Sequence, residues 1–107
     1  MSDLVTRLRA QLAQGRENAL LHLSLAQALL AADATAALQH AERAIALDAQ
    51  YSAAWKAKGK ALEALAQRAE AAAAWRQGIN IAESRGDAQA AREMRVFLRR
   101  VEVSGGG

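Results

Sequence analysis

Cysteine and proline are both missing from the 107 residues, and aromatic side chains make up only 4% of them. Without a thiol there is no disulfide staple, thiolate zinc site, iron–sulfur cluster or cysteine nucleophile. Strand formers are scarce as well: four Val, three Ile and two Thr stand beside 29 Ala and 14 Leu. That balance points to an all-α fold. No run approaches the roughly 18 consecutive apolar residues that cross a bilayer. The first ten residues carry Asp3, Arg7 and Arg9 where a signal peptide would be apolar. A cytoplasmic address and no membrane contact are the expectation. The net charge of +3 is ordinary for solubility and by itself implies neither nucleic acid nor membrane as a partner. What the chain does have is apolar content, 52% of its residues, enough for one core at this length and too little for two domains.

Catalytic constellations are equally sparse. His22 and His40 lie 18 residues apart in a metal-independent spacing, and each reads as a partly exposed helix residue. None of the few hydroxyls sits in a G-x-S-x-G setting, and the one glycine cluster, Gly105 to Gly107, follows the last helix instead of opening one, so no phosphate loop is present. Glu42, Glu63, Glu70 and Glu93 are dispersed among Arg and Lys and read as solvated faces. No enzyme, cofactor or metal site is expected.

Breaks at Gly15, near residues 32–34, at 49–51, near Gln67 and at Gly86 divide the chain into about six amphipathic segments of ordinary helix length. Leu4, Leu8 and Leu12 stripe the first. The second, about 18–31, is apolar nearly all round, which requires neighbours on two sides. Asp33, Ser52 and Asp87 are the expected N-caps. A shift of 34 places Ala71, Trp75, Gly78, Ile79 and Ile81 on Ala37, Ala41, Ala44, Ile45 and Leu47, and a shift of 33 places Gly59 on Ala26 and Leu62 on Leu29. Helix pairs therefore recur.

Trp55, Gly59 and Leu62, followed by Ala71, Trp75 and Gly78, form a W-x3-G-x2-L and A-x3-W pattern that resembles the tetratricopeptide repeat (TPR). Lys58 stands where that repeat usually has Leu, and its terminal Pro is missing. The resemblance implies a right-handed α-solenoid of antiparallel helix pairs, one domain over residues 1–103. Residues 1–15 would be an N-terminal cap helix, 19–51 a degenerate repeat, 52–85 a clear repeat, 87–103 a C-terminal cap helix and 104–107 a flexible tail. Gly59 is expected to let helix axes approach, and Gly78 to lie under Trp55 or Trp75. Truncating either Trp to Ala is expected to cost about 3–5 kcal/mol.

The same resemblance implies a non-catalytic adaptor or scaffold that binds a protein or peptide segment in a concave groove lined by the first helix of each pair. Leu23, Gln27 and Leu30 on one helix and Lys56, Lys60 and Glu63 on another are the expected contacts. An apolar half beside a basic half suits a segment bearing hydrophobic and acidic residues. The alternative is that the first helix covers Leu20, Leu23 and Leu30, leaving ordinary surface lysines. Gln27 and Ala57 stand where the family's carboxylate clamp would need Asn, which disfavours a chaperone tail as the partner. A basic stripe, Arg92, Arg95, Arg99 and Arg100, raises nucleic-acid or acidic-partner binding through the last helix, although Glu93 and Glu102 interrupt it. Weak homodimerisation through exposed leucines of the first two helices is the third alternative.

Overall fold

The computed structural model describes residues 3–105, with backbone alone for the last two. Among the described residues there are six helices and no strand: α1 (Asp3–Ala13), α2 (Ala19–Leu29), α3 (Ala34–Leu47), α4 (Ser52–Ala64), α5 (Arg68–Ser84) and α6 (Ala88–Gly105). The all-α, six-helix expectation holds. α6 takes in residues 104 and 105, which the sequence reading assigned to the tail; residues 106 and 107 lie outside the described part.

Local chemistry explains the boundaries. The side chains of Asn18, Asp33 and Asp87 accept from the amides of Leu21, Ala36 and Ala90 at 2.7, 3.0 and 3.1 Å, satisfying first-turn donors that the helix itself leaves unpaired. Asp33 and Asp87 are caps as expected, but Ser52 is not. It lies inside α4, buried, and its hydroxyl donates to Asp87 Oδ2 at 3.3 Å instead. Three helices end in the same left-handed residue, at Gly15, Ala66 and Gly86, with φ of +79°, +62° and +75°. At each, the following amide reaches back five residues to a last-turn carbonyl, Arg16 to Gln11, Gln67 to Leu62 and Asp87 to Ala82.

Every helix packs on its neighbour in sequence. In addition α2 meets α4 and α4 meets α6, whereas no Cα of α3 lies within 8 Å of one in α1 or α5. The even-numbered helices therefore form a close inner row and the odd-numbered ones a splayed outer row. A layer packed more tightly on one side must curve toward that side. The molecule measures 44 × 29 × 19 Å, and its radius of gyration of 13.8 Å slightly exceeds the roughly 13 Å of a globule of this length.

The core runs along this curve in two connected parts. Val5, Leu8, Leu21, Leu25 and Leu29 fill the amino-terminal part. Val5 takes the place expected of Leu4, which is 44% exposed. Leu62, Ala71, Trp75, Met94 and Val101 dominate the carboxyl-terminal part, with Trp55, Phe97 and Leu98 packed at its margin. Trp75 is fully buried, and its indole lies over bare Gly59: a Cβ built there would stand 2.5 Å from Trp75 Cδ1 and nearer still to Nε1 and Cε2. The same gap leaves the Lys56 carbonyl open to the indole N–H, which donates to it at 3.2 Å. Gly78 receives Met94 Sδ and the Cβ of Trp55. Trp55 itself is half-buried, its N–H donating to the Ala49 carbonyl at 2.9 Å, so its truncation costs less than that of Trp75.

Candidate functional site

Curvature places one face of α2, α4 and α6 on the inside. There, a groove of about 290 Å³ lies between α2 and α4, floored by Ala26, Ala53 and Ala57, with Gln27 and Leu30 on one wall and Lys56 and Lys60 on the other. Small side chains make the hollow: Ala53 and Ala57 are one turn apart on α4 and project little beyond the backbone.

Of the six expected contact residues, the structure brings four together in this groove, Gln27, Leu30, Lys56 and Lys60. Leu23 is 5% exposed, so it has almost no surface to offer and belongs to the packed interior. Glu63 is exposed but lies in a separate hollow with Ala66, Arg68, Arg100 and Val101. The alternative, in which Leu20, Leu23 and Leu30 are all covered, fails at Leu20, whose side chain is 63% exposed. Leu30 is half-buried against the amino-terminal core.

The basic wall is held in place by α6. Lys56 Nζ donates to Glu93 Oε1 at 2.7 Å, and this bond, with smaller contributions from Gln89 and Lys60, keeps the Glu93 carboxyl below its ordinary range. Lys60 Nζ stands 4.6 Å from the centre of the Phe97 ring, and the Arg100 guanidinium carbon 5.3 Å from the same centre. Lys56 is thus neutralised by a neighbour, while Lys60 meets an aromatic face and, among the described residues, no carboxylate oxygen within ion-pair distance. Phe97 and Glu93 are groove-positioning residues that the sequence reading missed. Their helix was read as a cap with a basic stripe, and nothing in the spacing of α6 alone tells which turn faces α4. The alanine floor was more legible, since residues 53 and 57 follow the i, i+4 step beside 56 and 60.

The basic stripe on α6 is divided by its surroundings. Arg95 pairs with Glu83 and Arg100 lies against Phe97. Glu102, one of its interrupting acids, pairs with Arg76. On the outer side, a second hollow of about 390 Å³ lies between α3, α4 and α5, with Leu38, Trp55 and Leu62 at its base and the Lys58–Glu42 ion pair, 3.7 Å long, at its rim.

His40 is partly exposed on α3, as expected, but His22 departs from expectation. His22 is 4% exposed, its Nδ1 3.0 Å from Nδ1 of His40 and its Nε2 2.9 Å from Glu17 Oε1. Among the described residues no group of three or more His, Cys, Asp or Glu could hold a metal ion, and no helix is long and apolar enough to cross a membrane.

The chain is 43% identical over 100 residues to a protein of Pseudomonas aeruginosa named as TPR repeat-containing, a match that covers 92% of this chain and 95% of the relative. The solution structure of a Bordetella parapertussis protein superposes with a TM-score of 0.84 at 42% identity, covering 97% of this chain and 91% of that one. No family model matches.

Proposed function

The chain belongs to the tetratricopeptide-repeat family, and from that premise we propose that it is a non-catalytic adaptor whose inner groove binds a segment of another protein carrying apolar and acidic side chains. One observation carries the reading: the small-residue hollow and the two lysines lie side by side on the face where the even-numbered helices converge. Ala26, Ala53 and Ala57 leave room for an aliphatic side chain, and Leu30 adds an apolar wall. A carboxylate one step along the segment would meet Lys60, whose ammonium has no carboxylate within ion-pair distance among the described residues.

The test is a quantitative pulldown from cell extract, read by mass spectrometry, with wild type, Leu30→Asp and the double variant Lys56→Glu/Lys60→Glu. Proteins retained by wild type and lost from both variants, with circular dichroism showing that the variants stay folded, support the groove. A retained set that both variants leave unchanged refutes it.

A further inference from the structure

His22 and His40 form a polar contact that the repeat architecture does not require. Under the shifts that align the two repeats, His22 falls on Trp55 and His40 on Ala74. The second repeat thus seats an indole beside a small residue where the first seats two imidazoles. Their ring centres are 5.2 Å apart and the two Nδ1 atoms 3.0 Å apart. The centre separation is about the nitrogen–nitrogen distance plus the two ring radii, so the rings meet edge to edge, nitrogen to nitrogen, along a nearly straight N–H···N bond.

The neighbouring charges fix where the hydrogens lie. Glu17, in the linker before α2, has its carboxyl held at about 2 by the hydrogen bonds from Arg43 and His22, so it is ionised and only accepts. His22 Nε2 therefore carries a hydrogen. In a ring with one hydrogen, His22 Nδ1 must then accept, and His40 Nδ1 must donate to it. One added proton can enter at His40 Nε2 with this wiring intact. A second would place hydrogens on both facing nitrogens and break the bond between α2 and α3. The other charged groups around the pair are Arg9 on α1 and Arg43 on α3, both cationic; burial, His22 and Arg9 push His40 below its ordinary value of 6.5.

We propose that His22 and His40, wired to Glu17, form a proton-sensitive clasp that locks the α2–α3 hairpin near neutral pH and loosens it in mild acid. The sign follows from linkage. The unfolded chain takes up a proton on His40 around its ordinary value, the folded site resists it because burial, His22 and Arg9 disfavour the cation there, and stability is therefore full above that value and falls as pH drops below it. With no cysteine and only these two histidines in the chain, this window lies clear of the carboxylates.

Two measurements test it on the intact protein. Long-range proton–nitrogen NMR of the imidazoles at about pH 7.5 should show His22 in the Nε2–H form and His40 in the Nδ1–H form. Finding Nδ1 of His40 bare would overturn the wiring and the clasp with it. Thermal midpoints at constant ionic strength should fall by several degrees from about pH 7.5 to about pH 5.5. In His40→Asn, which keeps an N–H near the Nδ1 position but takes up no proton in that range, the fall should shrink to less than half. An equal fall in variant and wild type would refute the proposal, and the NMR result decides the matter independently should the variant not fold.

Discussion

Gly59→Ala sets two physical effects against each other, and the structure decides which prevails. In a helix interior, replacing Gly by Ala is worth about 1 kcal/mol of added stability from propensity alone. Here the new methyl would stand 2.5 Å from Trp75 Cδ1 and closer to two further ring atoms. The indole is fully buried and rigid, so it cannot swing clear. Relief must come from separating α4 and α5. Overpacking of this kind costs about 1–3 kcal/mol and sometimes more, and the shift also strains the indole hydrogen bond to Lys56, worth about 1 kcal/mol. Taking the upper end for so close an approach, the net is a loss of roughly 3 kcal/mol. That corresponds to a fall of some 12–20 °C in Tm for a domain this size. Urea and thermal unfolding followed by circular dichroism would measure it. Gly78→Ala serves as the comparison, because part of what its methyl meets is the flexible thioether of Met94; its loss should be under half as large. A neutral or stabilised Gly59→Ala would show that propensity governs the site and that the indole seat is not a packing constraint.

Ala66 adopts the left-handed conformation at φ +62°, which is unfavourable for a side chain by about 1–2 kcal/mol. Ala66→Gly should therefore stabilise by about 0.5–1 kcal/mol after the added unfolded-state freedom is subtracted, read as a Tm rise of a few degrees. Trp75→Ala should cost about 3–5 kcal/mol and Trp55→Ala distinctly less, the order being checked by urea midpoints. Glu17, lowered from 4.5 to about 2 chiefly by its bond to Arg43 and then by that to His22, contributes stability that is present above its ordinary value and lost as pH falls from 4.5 toward 2. Comparing Tm against pH for wild type and Glu17→Gln should show that acid limb flattened in the variant.

Much of the fold was legible because it depends on periodicities a sequence displays directly. Stripes at three and four residues, two breaks at glycine, and the repeated Ala, Trp and Gly positions mark the helix pairs and the close approach at Gly59, while which indole fills that approach, Trp75, comes only from the packing. Ala66 ends α4 as Gly15 and Gly86 end α1 and α5, but it marks a left-handed turn with a residue that normally avoids one, so only the break near it could be read. Ser52 has the composition of a cap, whereas the Asp87 contact it makes comes from 35 residues away. The groove was half legible for a related reason. Which side of α2 and α4 faces inward follows from the repeat register, and that recovered Gln27, Leu30, Lys56 and Lys60. Leu23 was misplaced because an all-round apolar helix gives no signal of which leucines its neighbours cover. The histidine pair was invisible to motif spacing, since the two rings are brought together by α2–α3 packing and not by one helical turn.

The backbone of each rod in this molecule comes close only to the next one or two along the chain, and that of α1 only to α2. Such an arrangement has few long loops to close, so its assembly is governed by short-range encounters and should be quick, like that of other helical arrays. It also means that cohesion is not shared equally. Fraying must begin at the free edges, where a rod is gripped from one side, and travel inward toward the doubly supported α4, the element that carries both the indole seat and the lysines. Solvent exchange at backbone amides should follow that gradient, fastest in α1 and slowest in the middle of α4.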